Sequence, residues 1–515
     1  MNSKGARQDR STHLAATCAV VMVLAVGILW AGVALPRELD HDEHQFVASG
    51  VMLARSGLLP YLDYPYFHLP NLIFVFAAAD LVAASPFMAA RCISLGFALI
   101  GLCAVFWLVW SELEEASRWL RLGMAGSAVV LAAFSPLCFY TVGRAWNHDA
   151  ATALLLLALV LSRVARGRPG PAPLIAAGLA AGLAVGTRLS MAPVAIGLAL
   201  VIPMWMKRES LGRRLQALAL YAAGGAIGLL PTLVLAAIDM RAFVFGNFGY
   251  AALNTAFRQV SGYTSAMDLP GKARFFFEQV LREPRGAILF GSFAVFLVAD
   301  GLRVIFSRGE GRRLPLVIGL LFPFLAWGAL APTPSWYQYF YVLVPFAAVA
   351  TVVSAARVRL GERRLPFGAA WAIVAALAVG WFSRSEVSSA RALLRPDAWV
   401  PQAVREVGSR VAQLTEEGPV LTLSPIYALE GGRPIYAQFT SGPFAWRVSS
   451  FVPADSRAAL HIVSPEELEG VLTASPPAGI LVGREVELEA EFVAYANAHD
   501  YRPLDVGEGL TLWVR

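Results

Sequence analysis

The stretch LDHDEHQFVASGVMLARSGLLPYLDYPYFHLPN, residues 39–71, lies between two hydrophobic segments and decides how the rest of the chain is interpreted. Residues 36–70 hold five acidic residues and two arginines, a net charge of −3, and three of the chain's seven histidines. The whole chain, by contrast, is 57% hydrophobic and only 15% charged. This concentration of ionisable groups beside an apolar segment predicts a catalytic loop at a membrane surface.

The composition indicates the class of protein. The mean hydropathy is +0.59 over 515 residues, and several apolar runs reach about 18 residues or more, the length of a membrane-crossing helix. We therefore predict a polytopic α-helical membrane protein. The net charge of +6 does not indicate a nucleic-acid partner, because most arginines fall in short loops between apolar segments. All four cysteines lie in apolar runs, which argues against a disulfide framework or a CxxC metal site.

The basic residues predict the orientation in the membrane. Lys4, Arg7 and Arg10 precede an apolar run at 14–35 that is long and has no small-residue cleavage site, so we expect an uncleaved first span. Four later loops have net charges of +3, +3, +2 and +3 and are expected in the cytoplasm with the N-terminus. The acidic stretch then lies on the outer side of the membrane, which we expect to be the cell inner (plasma) membrane. The basic residues of the four loops are Arg163, Arg166, Arg168, Lys207, Arg208, Arg213, Arg214, Arg308, Arg312, Arg313, Arg357, Arg359, Arg363 and Arg364.

This orientation requires one apolar segment not to cross the membrane. Residues 69–84 are short and end before Ser85-Pro86, and their crossing would turn every later basic loop outward. We therefore predict an interfacial or re-entrant helix at 69–84 and about eleven spans in all, with the C-terminal part outside. The expected spans are 14–35, 86–110, 122–140, 149–163, 173–187, 189–206, 215–238, 287–305, 315–331, 337–355 and 366–382.

The hydropathy divides the chain into two predicted domains. Residues 1–382 form a membrane domain with outer loops at 36–85 and 239–286, and residues 383–515 form a small soluble α/β domain on the outer side. The second domain shows no nucleotide-binding loop, GxSxG motif or metal-ligand cluster, so we expect it to support the fold or bind the acceptor. Its predicted elements are a helix at 400–414 and strands at 420–423, 479–482 and 510–514.

Two further patterns concern the membrane domain. Glycines recur every four residues at Gly178, Gly182 and Gly186 and again at Gly224 and Gly228, a spacing that lets helices pack closely in lipid. The loop 239–286 has a net charge of +2 on the predicted outer side, against the orientation rule. Its cations are either solvated surface charges or ligands of a bound anion.

Asp42 and Glu43 are the first candidates for chemistry. In a purely structural interpretation, Asp42 caps a helix that begins at Glu43 and ends at Gly57, and Gln45 completes a capping box. A cap at a membrane surface also projects its carboxylate towards whatever binds there. Two adjacent carboxylates flanked by histidines exceed what a cap needs, so we predict a catalytic role as well. The flanking histidines are His41 and His44.

Three other clusters are candidates for binding. The turn at 141–149 places Arg144, Asn147, His148 and Asp149 between two spans that are joined by almost no loop. A helix cap explains Asn147 or Asp149, but ionisable residues at the membrane edge generally indicate function. Two aromatic segments act either as interface anchors or as substrate contacts. They contain Tyr66 and His68, and Trp336, Tyr337 and Gln338.

An acidic pair after the first span, a juxtamembrane helix and an aromatic segment that ends in histidine and proline follow one another at 42–70. This order resembles the GT-C membrane glycosyltransferases, and most of all the family 39-like branch of protein O-mannosyltransferases and aminoarabinose transferases. The resemblance covers about residues 1–355. It implies that Asp42 is the catalytic carboxylate with Glu43 beside it, that Asp149 is the second-loop acid, and that His68 contacts a lipid-linked phosphate.

The resemblance also implies the reaction. A sugar would move from a polyprenyl-phosphate donor to an acceptor hydroxyl at the outer membrane face, with inversion at the anomeric carbon. A carboxylate at that level can act as the general base, and the departing phosphate needs positive charge. The acceptor can be a lipid, a glycan or a protein. The candidates for phosphate binding are His68, Arg144, Arg188 and Arg258, and those for substrate binding are His41, His44, Tyr66, His148, Trp336, Tyr337 and Gln338.

A divalent metal, Mg or Mn, is a further expectation, because Asp42 and Asp149 could share a hard cation through oxygen ligands. Two other function classes stay open. A transporter or lipid flippase would use the short hairpin 173–206 and Arg188 as part of a substrate path, although the two halves show no inverted repeat. A non-catalytic assembly protein would use the C-terminal domain for docking.

Overall fold

The computed structural model of the chain describes residues 3–167, 170–206, 209–307, 314–358 and 367–515. Helices dominate it, and a small sheet lies near the C-terminus. The helices that precede residue 384 are α1 (Ser3–Ala34), α2 (His41–Ser56), α3 (Asn71–Asp80), α4 (Pro86–Glu112), α5 (Arg118–Ala133), α6 (Pro136–Thr141), α7 (Asn147–Gly167), α8 (Pro171–Thr187), α9 (Ala192–Trp205), α10 (Leu211–Gly228), α11 (Leu230–Ile238), α12 (Met240–Val244), α13 (Tyr250–Val260), α14 (Leu269–Phe276), α15 (Pro284–Ser307), α16 (Leu314–Leu330), α17 (Leu343–Arg357) and α18 (Phe367–Phe382).

The apolar helices make the chain a multi-pass membrane protein. Within the described ranges, five segments are long and apolar enough to cross a membrane, and two bent helix pairs raise the number to as many as seven. The expected number of about eleven spans remains a prediction. So does the orientation, because much of its basis, at residues 168, 207–208, 308–313 and 359–366, lies outside the described residues. The five segments are Ala16–Ala34, Pro86–Glu112, Asn147–Ala165, Pro284–Arg303 and Tyr337–Arg357.

Prolines break two of the predicted spans. The segment predicted as one span at 122–140 is divided between α5 and α6, and Pro136 occupies the first turn of α6. The segment predicted at 215–238 bends by 59° between α10 and α11, where Pro231 lies in the first turn of α11. A proline has no backbone N–H to donate and clashes with the preceding turn, so a helix tends to end just before it.

The predicted glycine contacts join α8 to α10. A Cβ atom at Gly182 would overlap the carbonyl oxygen of Gly225, and one at Gly224 would overlap that of Ile175. At Gly228 the added atom would lie 2.6 Å from the backbone of Leu183. The two backbones therefore touch along their length, which only small residues allow.

The acidic stretch forms α2 and the turn before it, and the cap lies two residues earlier than predicted. Asp40, not Asp42, is the N-cap residue: its side chain accepts from the N–H of Asp42, and Glu43 closes the capping box. Gly57 ends α2 in the left-handed conformation, as expected. The interfacial helix predicted at 69–84 is α3, which has only 10 residues and packs on α2.

The C-terminal part contains a four-stranded sheet, with the order β1-β2-β4-β3. β1 (Val420–Leu421) and β2 (Gly479–Val482) are parallel, and β4 (Leu510–Val514) pairs antiparallel with β2 and with β3 (Arg502–Gly507). The helix predicted at 400–414 and the strands predicted at 479–482 and 510–514 are confirmed. Of the strand predicted at 420–423, only Val420–Leu421 forms, and β3 was not predicted. The helices of this part are α19 (Arg384–Ser389), α20 (Val400–Leu414), α21 (Pro425–Glu430), α22 (Pro443–Trp446), α23 (Ala454–Arg457), α24 (Pro465–Ala474) and α25 (Ala490–Ala498).

One hydrophobic core joins the C-terminal part to α2 and α3. Phe46 of α2 and Phe76 of α3 belong to the same buried cluster as Val407 of α20 and Tyr427 of α21. Polar contacts reinforce this packing, since Arg55 donates to the carbonyl oxygen of Leu429 at 2.8 Å. The C-terminal part therefore fixes the position of the helix that carries the acidic cluster.

Candidate active site

A cavity of about 310 Å³ lies at the N-terminal end of α2. Its walls come from the turn before α7, from α13, from the segment before α17 and from α22 of the C-terminal part. Most of the predicted site residues line it, namely His41, Asp42, His68, His148, Arg188, Arg258, Trp336 and Gln338. The remaining predicted residues do not line it, namely Glu43, His44, Tyr66, Arg144, Tyr337 and Asp149.

Three consecutive residues form an acidic cluster on one wall. One ligand atom from each of Asp40, His41 and Asp42 lies within 4.8 Å of the others, and Nε2 of His41 is 3.5 Å from Oδ1 of Asp42. Burial, together with the negative charge of Asp42, raises the pKa of Asp40 to about 6. Asp42 keeps a partly exposed side chain, so its carboxylate is available to a bound molecule.

Glu43 points away from the cavity and has a structural partner. Its carboxylate accepts from Arg91 at 2.7 and 2.9 Å and from the backbone N–H of Ala145 at 2.8 Å. Burial by itself raises the pKa of Glu43, but the charge of Arg91 and its hydrogen bonds outweigh burial and hold the pKa below its ordinary value. This carboxylate is thus ionised and fully engaged.

His44, Tyr66 and Tyr337 are packed behind the cavity wall. Nδ1 of His44 accepts from the N–H of Ile426 at 3.4 Å, and burial lowers the pKa of His44 to about 3. Tyr66 is buried at 1% exposure, and the ring of Tyr337 stands edge-on to Tyr140 with centroids 5.3 Å apart. Their contacts are with protein groups, which corrects the expectation that they touch substrate.

Asp149 and Asp42, the metal pair predicted from the sequence, line different cavities. Its Oδ2 accepts from the N–H of Gly143 at 2.9 Å, and the side chain lines a different, small cavity beside Trp30 and Tyr341. In the described residues, the one group with metal-ligand spacing is Asp40, His41 and Asp42.

Arg188 supplies positive charge from the junction between α8 and α9. Its Nη1 donates to Oδ1 of Asn147 at 2.8 Å and its Nε donates to Ser190 at 2.9 Å. The guanidinium lies 4.8 Å from the ring centroid of Tyr339. Among the described residues, no carboxylate forms an ion pair with Arg188, so its charge is available to an anion in the cavity.

Two other predicted cations differ in position. Arg258 lies over Trp336 at 5.4 Å, and its Nε is buried without a hydrogen-bond partner in the described structure. Arg144 lies outside the cavity, 4.8 Å from the ring of Trp146 and 3.6 Å from Oδ2 of Asp40. Arg144 therefore supports the acidic cluster, and its contact with a phosphate remains a prediction.

Of the three histidines on the cavity wall, His41 belongs to the acidic cluster, and the other two are His68 and His148. His68 stacks on Phe46 with centroids 5.0 Å apart, and burial, together with the positive charge of Arg188, lowers the pKa of His68 to about 4. Its ring is therefore neutral at neutral pH, and its contact with a lipid-linked phosphate remains a prediction. Within the described residues, neither nitrogen of His148 has a partner.

Several cavity residues were not predicted as site residues. Asp40 and Gln45 were considered only as part of the acidic stretch or as a helix-cap residue, and Tyr339 lies inside an aromatic segment that the sequence does single out. Arg447 of the C-terminal part has no local signal that could have revealed it. The other unpredicted lining residues include Tyr250, Asn254 and Phe444, whereas Asn147 belongs to the turn that the sequence singles out.

Comparison with known proteins gives structural matches only. No model of a known protein family matches the sequence, and no curated protein sequence matches it. ArnT from Cupriavidus metallidurans, solved with undecaprenyl phosphate, superposes with a TM-score of 0.62 at 14% identity over 96% of this chain and 97% of ArnT.

A second match is the oligosaccharyltransferase AglB from Archaeoglobus fulgidus, in complex with an inhibitory peptide and a dolichol-phosphate. Its TM-score is 0.52 at 12% identity, over 91% of this chain and 70% of AglB. The Archaeoglobus fulgidus oligosaccharyltransferase in complex with Zn and sulfate gives 0.50 at 13% identity, over 96% of this chain and 73% of that chain. Because these likenesses extend over nearly the whole chain, the protein has the GT-C fold of membrane glycosyltransferases.

Proposed function

We propose that the chain is a membrane glycosyltransferase that moves a sugar from a polyprenyl-phosphate donor to an acceptor hydroxyl at the outer face of the membrane, with inversion. One observation carries the proposal: the carboxylate of Asp42 shares a cavity with Arg188 and Arg258, which have no carboxylate partner among the described residues. A base and unpaired cations in one cavity are what transfer from a phosphate requires.

Asp42 would act as the general base. The acceptor oxygen forms a bond to the anomeric carbon while the bond from that carbon to the phosphate oxygen breaks, and the phosphate leaves with the electron pair. The acceptor proton passes to the carboxylate of Asp42. Attack on the face opposite the leaving group inverts the configuration, and no covalent sugar–enzyme intermediate is needed.

Arg188 would stabilise the phosphate as it leaves. Asn147 and Ser190 hold its guanidinium in place before any ligand binds, so little reorganisation is needed when charge develops on the phosphate. The structurally similar ArnT was solved with undecaprenyl phosphate and AglB with a dolichol-phosphate, which supports a lipid phosphate as the donor group. His68 would contribute a neutral ring that can donate one hydrogen bond.

Glu43 would be a positioning residue. Its bonds to Arg91 and to the N–H of Ala145 fix the first turn of α2 against α4 and the turn before α7. Asp42 follows this geometry, because the N–H of Asp42 is held by Asp40 within the same capping box.

A divalent metal ion fits the acidic cluster. Asp40, His41 and Asp42 would hold it, since two carboxylates and an imidazole with mutually close ligand atoms are suitable ligands for Mn or Zn. When bound, the ion would add positive charge to the cavity. The Archaeoglobus fulgidus oligosaccharyltransferase, of similar fold, was solved with Zn and sulfate.

The proposal is tested by sugar transfer from a panel of polyprenyl-phosphate sugars by the purified protein, with and without EDTA. Asp42→Asn should lower the rate by a factor of about 10² to 10⁴, the usual contribution of a general base. Asp63→Asn is the matched control, because Asp63 lies in the segment that follows α2 and its side chain accepts from the N–H of Leu59 at 2.7 Å. Equal activity of Asp42→Asn and wild type would refute the base assignment, and no transfer by the wild type would refute the function.

A further inference from the structure

Arg447, the residue that follows α22, brings the C-terminal part into the cavity. It is 8% exposed and lines the cavity together with Phe444. The ring of Phe444 lies 5.6 Å from that of His41, between centroids, so this turn packs directly on the first turn of α2. Its position is therefore coupled to that of the acidic cluster.

Among the residues that the structure describes, no carboxylate lies close enough to Arg447 to neutralise its charge. Its Nη2 donates to the hydroxyl of Tyr250 at 2.8 Å, its guanidinium lies 4.3 Å from the ring of Phe444, and its Nε is buried without a partner. Within the described chain, Arg447 forms no ion pair. The half-buried Glu485 acts electrostatically on it but does not reach it. A buried cation held by a phenol and aromatic rings lacks the counter-ion that burial normally demands.

A second guanidinium lies beside it. The guanidinium groups of Arg258 and Arg447 lie 6.0 and 5.8 Å from the ring centroid of Phe257, and both residues line the same cavity. In the described structure, the Nε of Arg258 is also buried without a partner. Two like charges are brought close in a cavity at a cost in free energy. Two guanidinium groups that face one space are well suited to a phosphate or carboxylate.

This pair is distinct from the cation near His68. Arg188 contacts Asn147, Ser190 and the ring of Tyr339. Arg447 contacts Tyr250 and the ring of Phe444, and Arg258 lies over Trp336. The cavity therefore contains two separate groups of cations.

We propose that Arg258 and Arg447 form a second anion subsite, which binds a phosphate group other than the donor phosphate next to Arg188. The assignment of the first subsite rests on the function proposed above. The second phosphate belongs either to the donor lipid, as a diphosphate, or to the acceptor. In both cases the C-terminal part takes a direct role in substrate recognition.

The test uses the full-length protein in lipid nanodiscs, with undecaprenyl phosphate, undecaprenyl diphosphate and inorganic phosphate as probes. With saturating undecaprenyl phosphate, inorganic phosphate should raise the Tm of the wild type, compared with chloride at equal ionic strength. Arg447→Gln should lose this shift. The matched control is Arg410→Gln, because Arg410 lies in the C-terminal part and donates only to the carbonyl oxygen of Val506. Should Arg447→Gln fail to fold, Arg258→Gln must show the same loss.

The two lipids distinguish the source of the second phosphate. If the subsite serves the donor, the diphosphate binds about tenfold tighter than the monophosphate, because it makes one more charge-assisted hydrogen bond. It also abolishes the inorganic phosphate shift, and Arg447→Gln removes the tenfold preference. If the subsite serves the acceptor, the two lipids bind alike and the shift persists with either.

A phosphate shift that is unchanged in Arg447→Gln, or absent from the wild type, would overturn the second subsite. Failure of the proposed function looks different, because the wild type would then transfer no sugar from any donor of the panel. The titration with inorganic phosphate in the absence of lipid still decides whether Arg447 binds an anion.

Discussion

Arg91 and Glu43 form an ion pair that is sealed inside the protein: Nη2 lies 2.7 Å from Oε2, and both side chains are 0% exposed. Arg91 also donates to the carbonyl oxygens of Ala34 and Arg37 at 3.0 and 2.7 Å. One guanidinium thus ties the end of α1, the turn before α2 and the body of α4 together. The position of the acidic cluster depends on this contact.

Glu43→Gln should therefore destabilise the protein as a whole. Removal of one partner from a buried pair leaves an uncompensated charge and costs about 3 to 5 kcal/mol, which thermal unfolding in detergent would register as a lowered Tm. Glu467→Gln is the matched control, because Glu467 closes a capping box at Ser464 with a side chain that is 40% exposed. Similar losses in the two variants would show that only the capping box matters at Glu43.

Arg188→Gln should lower kcat/KM for the donor by a factor of about 10² to 10³, the usual effect of removing a preorganised group that stabilises developing charge. Arg188→Lys should recover little of this loss, because an ammonium group cannot donate to Asn147 and Ser190 and also stack on Tyr339. Arg121→Lys is the control. The guanidinium of Arg121 also stacks on an aromatic ring, 3.9 Å from the centroid of Trp110, but Arg121 does not line the cavity. Full activity of Arg188→Lys would show that only the positive charge at this position matters, and not the hydrogen bonds of the guanidinium.

The low pKa of His68, about 4 against an ordinary 6.5, makes stability depend on pH. As the pH falls below about 6.5, the unfolded chain takes up a proton on this ring before the folded chain does, so the free energy of unfolding decreases until about pH 4. The difference in Tm between about pH 7 and about pH 5 should be smaller in His68→Gln than in wild type. An equal difference in both proteins would show that His68 is not held neutral by the fold.

Gly182→Val should disrupt the contact between α8 and α10. The added side chain would overlap the backbone at Gly225, and overpacking of this kind typically costs about 1 to 3 kcal/mol or more. Gly123→Ala tests the same kind of change where nothing lies within 4 Å of the new atom, and it should leave the Tm unchanged or slightly higher. An unaffected Gly182→Val would mean that α8 and α10 can separate without loss of the fold.

Local patterns in the sequence predict much of the fold. Apolar length predicts the membrane class, and the helix at 400–414 shows its periodicity plainly. The cap of α2 could also have been predicted correctly. A capping box pairs an N-cap acceptor with a glutamate or glutamine three residues later. Asp40 with Glu43 has this spacing and a carboxylate at the second position, whereas Asp42 with Gln45 has an amide there.

Contacts between distant residues could not be predicted. Arg91 lies within an apolar run, and nothing near it in sequence indicates that its partner is Glu43. Arg447 enters the cavity from a turn that follows the membrane part by many residues. Both placements depend on how helices pack, which the periodicity of a single segment does not specify.

The core that α2 and α3 share with the C-terminal part limits how such a protein can change over evolutionary time. Phe46, Phe76 and Tyr427 would lose their mutual packing if recombination replaced residues 400–515 with an unrelated domain. New substrate preferences therefore have to arise by point substitution within this shared core and cavity, or by inheritance of both parts together. For the same reason, chimaeras intended to redirect specificity need their junctions outside both regions.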